Sequence, residues 1–76
     1  MYEVLLRFKV IKTGLIFEAI LDSRLSFKEN FKILEDMLNI KLTNMYVFDA
    51  EKKIFLDEYI SIEKYNIKSF MFFYLF

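Results

Sequence analysis

The chain has no cysteine, no histidine, no proline and no tryptophan, and one glycine among its 76 residues. Lacking cysteine and histidine, it has no disulfide, no thiolate or imidazole to offer a metal, no cysteine nucleophile and no histidine base, so no metal and no other cofactor is expected. An excess of either charge is also missing. Eleven Lys and Arg balance eleven Asp and Glu, and without a net field or a basic stripe nothing draws nucleic acid or an anionic membrane. No apolar run approaches the ~18–20 residues of a membrane span, so no membrane insertion is expected. Glu3, Arg7 and Lys9 interrupt the first apolar residues at a spacing no signal-peptide core tolerates. These absences together lead us to expect a cytoplasmic protein.

What the chain does have is apolar mass. Hydrophobic residues make up 57% and aromatics 20%, with ten Phe and five Tyr. A chain this short has room for one core and buries only about 60% of its unfolded surface, so the supply of rings exceeds what the interior can hide. No linker, repeat or low-complexity tract divides it, and residues 1–76 are expected to form one domain.

"YEVLLRFKV" alternates, placing Val4, Leu6, Phe8 and Val10 on one face and Glu3, Leu5, Arg7 and Lys9 on the other, as a half-buried strand does. "KTG" follows, and Gly14 is where a hairpin needs positive φ. "LIFEAILD" then reads as a second strand, with Leu15, Phe17, Ala19 and Leu21 inward and Ile16, Glu18 and Ile20 outward. "SFKE" fits a capping box in which Ser26 and Glu29 satisfy one another's free amides, and it opens an amphipathic helix. Its apolar stripe is Phe27, Phe31, Leu34 and Leu38, widened by Ile33 and Met37. "NIKLTN" breaks the period. "MYVFD" is a short strand, with Tyr46 and Phe48 facing away from Met45 and Val47; "AEKK" is a turn and "IFLD" another short strand. "SIEKYNI" suits a single helical turn, and "FMFFYLF" closes the chain as a last strand.

That order is β-β-α-β-β-β, an α+β arrangement. "ISIEKYNI" (60–67) resembles ubiquitin's "TLSDYNI", and "MYVFDAEKKIFL" resembles the paired strands that precede that motif. The resemblance to the ubiquitin-like β-grasp family covers nearly the whole chain. It implies a mixed sheet of order 2-1-5-3-4, one helix packed on one face, and a structural Tyr65 whose hydroxyl meets the backbone near Asp57 to Tyr59. The chain also resembles the small YukD-like proteins that accompany type VII secretion in Gram-positive bacteria, in its length, its opening hairpin and a helix near "FKILEDMLNIKL". Ubiquitin and the sulfur carriers run on into a mobile Gly-Gly tail whose carboxylate can be activated, whereas this sequence stops at Leu75-Phe76. The expectation is therefore set against a C-terminally activated carrier or modifier, which stands as the alternative.

Matching the last strand from Ile67 puts Met71, Phe73 and Leu75 inward. It leaves Phe70, Phe72, Tyr74 and Phe76 outward, beside Leu5, Tyr46 and Phe48 on a sheet face that the fold leaves open. Ubiquitin's recognition patch lies on that face. The resemblance implies a non-enzymatic interaction module that docks these seven residues on another protein or on its own copy. Catalysis finds no support: Glu35-Asp36 and Asp57-Glu58 are sequence neighbours that do not face one another, the serines have no candidate base, and no Gly-rich loop exists for phosphate.

Overall fold

Alternation in the first ten residues sets the sheet. A computed structural model describes residues 2–42 and 44–76; Met1 and Thr43, the latter in the "NIKLTN" segment, lie outside the described residues. Strand β1 (Glu3–Val10) buries Val4, Leu6, Phe8 and Val10. At the turn the Gly14 N–H donates to the Val10 carbonyl (2.8 Å) and the Val10 N–H to the Leu15 carbonyl (2.8 Å). Gly14 has φ 78°, and a Cβ there would touch nothing within 4 Å, so backbone conformation and not space is what calls for glycine. Strand β2 (Ile16–Asp22) returns antiparallel to β1, from Lys9 opposite Ile16 to Glu3 opposite Asp22. Leu15, expected inward, is exposed. It belongs to the turn, outside the strand, where no other layer covers it.

Helix α1 (Phe27–Leu38) starts as its sequence requires. The Glu29 N–H donates to Ser26 Oγ and the Ser26 N–H to Glu29 Oε1, both at 3.1 Å. It ends at Asn39, a left-handed cap (φ 54°) whose N–H reaches the Glu35 carbonyl at 3.1 Å. Phe27, Phe31 and Leu34 are buried, but Leu38, Ile33 and Met37, expected to extend the stripe, are exposed. At 3.6 residues per turn Ile33 and Met37 point roughly 80–120° away from the buried line, and Leu38 is the last helical residue, past the sheet.

A buried residue the stripe did not include is Asn30. Its Nδ2 donates to the carbonyls of Asp22 (3.0 Å) and Ser26 (2.8 Å), and its Oδ1 accepts from the Asp22 N–H (2.8 Å). One amide thereby ties the helix to the end of β2. The Asp22 carboxylate faces outward to Arg24: Oδ1 accepts from the Arg24 N–H and Nε, Oδ2 from Nη2 at 2.8 Å. Those hydrogen bonds and the guanidinium charge hold the Asp22 carboxyl below its ordinary value.

Strands β3 (Val47–Asp49) and β4 (Ile54–Phe55), a 3-10 helix (Ile62–Tyr65) and β5 (Phe72–Leu75) complete the chain. The β3–β4 turn is organised by buried Asp49, whose Oδ1 accepts from the Glu51 and Lys52 N–H groups at 3.0 and 3.1 Å. The sheet order is β2-β1-β5-β3-β4. β5 lies in the middle, parallel to β1 and antiparallel to β3.

Phe73 and Leu75 have no exposed surface, while Phe72 and Phe76 are open to solvent. The alternation of "FMFFYLF" places Phe70 in the last strand. Instead it sits in the turn before β5 with φ 72°, and its N–H donates to the Leu5 carbonyl. Inside, Phe8 is the hub: its ring lies 5.2 Å from Phe17, 5.6 Å from Phe31, 6.1 Å from Phe73 and 6.5 Å from Phe27.

Adjacent phenylalanines on β5 should therefore behave oppositely. Phe73→Ala leaves a cavity against Phe8 and Phe27 and should cost about 3–5 kcal/mol in urea unfolding; Phe72→Ser should cost under about 1 kcal/mol. Equal losses would contradict this assignment of faces.

Candidate protein-binding face

Helix α1 covers one side of the sheet, and the strand registers fix what stands on the other. One row crosses all five strands: Ile16 on β2, Lys9 on β1, Tyr74 on β5, Phe48 on β3 and Phe55 on β4. On one side of it Tyr46 and Phe76 exchange two backbone hydrogen bonds, at 2.8 and 3.0 Å, which carry the β3–β5 pairing one step past the strands proper. On the other side lies a row of Glu18, Arg7 and Phe72, followed by Ile20 and Leu5.

Four rings gather where β3, β4 and the end of β5 meet. Phe48 lies 4.9 Å from Phe55 and 5.7 Å from Phe76, Phe55 lies 5.7 Å from Phe76, and Tyr46 lies 6.5 Å from Phe55. All four contacts are edge-to-face, the geometry the ring quadrupole favours. Tyr46, Phe55 and Phe76 nonetheless keep 60%, 59% and 48% of their surface exposed. Phe72 and Tyr74 form a second edge-to-face pair at 5.5 Å.

The structure thus brings Tyr46, Phe48 and Phe76 into one cluster and sets Phe72 and Tyr74 beside it. Leu5 and Phe70 stand apart. The Arg7–Glu18 ion pair (3.8 Å) lies in the row of Phe72, between Leu5 and Lys9 along β1, so charge interrupts the face expected to be apolar throughout. Phe70 is well exposed, but its turn carries it off the end of β5 and it enters none of these ring contacts.

Phe55 belongs to the cluster and was missed. A two-residue strand shows no alternation to read. The signal available was the hairpin itself: Phe48 and Phe55 lie equally far from the middle of the "AEKK" turn, so a tight hairpin must pair them on one face.

The supporting residues do local work. The Tyr65 hydroxyl accepts from the Asp57 N–H (2.7 Å) and donates to the Asp57 carbonyl (3.2 Å), pinning the segment after β4 to the 3-10 helix. Gly14 shapes the first hairpin, and Ser26 with Glu29 starts the helix. Among the described residues no three His, Cys, Asp or Glu side chains gather as a metal ion would need, and no helix is long and apolar enough to cross a membrane.

One helix laid across a mixed five-stranded sheet of order 2-1-5-3-4 is the ubiquitin-like β-grasp fold, here with an aromatic open face. Solved structures agree on the fold. A ubiquitin-like domain from Arabidopsis thaliana superposes over 100% of this chain and 78% of its own, with TM-score 0.75 and 17% identity. The ubiquitin-like domain of Plasmodium falciparum Dsk2 matches over 97% of this chain and 99% of its own, with TM-score 0.69 and 17% identity. A de novo designed protein based on ubiquitin matches over 99% and 88%, with TM-score 0.75 and 13% identity. No protein-family model and no curated protein matches the chain.

The Tyr65 tether should be measurable. Tyr65→Phe removes one hydroxyl and should cost about 1 kcal/mol in urea unfolding, with faster hydrogen exchange at the Asp57 amide. An unchanged midpoint and an unchanged Asp57 amide would show the tether to be idle.

Proposed function

We propose that this chain is a non-enzymatic protein-interaction module and that its binding surface is the open sheet face centred on Tyr46, Phe48, Phe55 and Phe76, with Phe72 and Tyr74 flanking. The observation that carries the reading is that Tyr46, Phe55 and Phe76 cluster around the half-buried Phe48 and still stand largely in water. Covering about 200 Å² of such surface returns about 5 kcal/mol before the costs of association, which is the scale of a central hot spot. Lys9 lies in the same row as Tyr74. A fitting partner is therefore a protein that presents an apolar or aromatic anchor with a carboxylate beside it. Leu5 and Phe70 lie beyond the Arg7–Glu18 pair and act at most at the rim.

The narrower placement is a cytoplasmic accessory of a bacterial type VII secretion system. It rests on the resemblance to YukD-like proteins in length, opening hairpin and helix, and on the fit of a small ubiquitin-like fold to that group.

The test uses purified proteins encoded beside this gene, titrated singly against the isotope-labelled chain. The reading expects one of them to shift ring signals of Phe48, Phe55 and Phe76, and Phe55→Ser to weaken that binding at least ~10-fold with the unfolding midpoint kept. Shifts confined to the α1 side, or full affinity in Phe55→Ser, would overturn it.

A further inference from the structure

The sheet has two edges, and they are protected differently. β4 is two residues long and offers almost nothing to pair with. β2 is seven residues long and carries no Lys or Pro; its two charges, Glu18 and Asp22, are each met within the chain, by Arg7 and Arg24.

The ladder shows which groups of β2 are free. Val10 N–H to Leu15 O, and Ser23 N–H to Tyr2 O, mark the hydrogen-bonded pairs of the β1–β2 hairpin. By the two-residue period of an antiparallel ladder, Phe17, Ala19 and Leu21 turn their amides and carbonyls toward β1, and Ile16, Glu18, Ile20 and Asp22 turn theirs to the edge. Asp22 is already taken: Asn30 occupies both its N–H and its carbonyl, as a neighbouring strand would. Three residues remain, and among the described residues nothing bonds their six backbone groups.

We infer that this edge pairs with β2 of a second copy of the same chain, antiparallel and centred on Glu18. That register alone engages all six free groups of each copy, because Ile16 lies opposite Ile20 of the second copy, Glu18 opposite Glu18, and Ile20 opposite Ile16. It places the apolar side chains of Ile16 and Ile20 side by side on the open face. On the helix side it sets the large Phe17 against the small Ala19, so the strand is complementary to itself in volume as well as in hydrogen bonding. The like-charged Glu18 pair is its one cost, and each carboxylate keeps its own Arg7 at 3.8 Å. A cavity at the Asp22 end of β2, lined by Ile20, Asp22, Arg24 and the exposed Ile33 of α1, leaves that end of the edge uncovered. The product is a continuous ten-stranded sheet with both aromatic clusters on the same side, so the pairing does not compete with the docking face.

Five residues of pairing make a small interface, so the dimer forms at concentrations on the order of 100 µM. Sedimentation of the full chain should show mass rising from 9.3 kDa toward twice that value over this range. Ile20→Pro removes an edge N–H that bonds nothing among the described residues and should stay monomeric, while Phe55→Ser on the open face should dimerise like the parent. Residue-resolved hydrogen exchange on the unaltered chain makes the result independent of any variant's folding. Glu18 and Ile20 amides should slow as concentration rises, and Asp22 should be slow throughout. A chain that stays at 9.3 kDa up to about 1 mM would overturn the inference, as would a dimer whose Glu18 and Ile20 amides exchange freely.

Discussion

The constraint on which the rest of the structure depends is the parity of β5. It is the central strand, bonded to β1 on one side and β3 on the other, so its backbone has no freedom to slide once both ladders form. Phe73 and Leu75 then fall under the helix, and Phe72, Tyr74 and Phe76 fall on the other side. A slip of one residue would exchange the two sets. The buried set closes the core, because Phe73 completes the ring packing of Phe8 and Phe27, and the second set creates the surface.

A composition this rich in phenylalanine is thereby sorted into two assemblies separated by one sheet. The inner one, around Phe8, is sealed by α1, whose position is secured by the Ser26–Glu29 capping box and by Asn30. The outer one is held in shape by edge-to-face contacts among Phe48, Phe55 and Phe76, which leave it ordered while still wet. Pre-ordered rings lose little conformational entropy when something covers them, so an exposed cluster of this kind binds more readily than the same rings on mobile loops.

Much of this was legible in the chain. Alternation in "YEVLLRFKV", the glycine in "KTG", the "SFKE" cap and the "EKYNI" motif each have a local physical signature, and each element lies where that signature puts it. The readings that failed depend on tertiary extent. Whether Leu15 and Leu38 are covered is decided by how far a twelve-residue helix reaches over a small sheet, which periodicity does not encode, while Ile33 and Met37 lie off the buried line because the stripe is narrower than their inclusion supposes. Asn30 resembles any polar helix residue until the end of β2 arrives beside it. Phe55 needed a hairpin register, and the division of the open face by Arg7 and Glu18 needed the β1–β2 pairing.

The measurement that tests the division of rings most directly is relaxation of aromatic ring protons by a soluble paramagnetic agent, read residue by residue on the isolated chain. The rings of Tyr46, Phe55 and Phe76 should be strongly broadened, and those of Phe8, Phe27 and Phe73 should be untouched. Protection of the first three at dilutions where the chain is monomeric, or broadening of Phe73, would contradict the account.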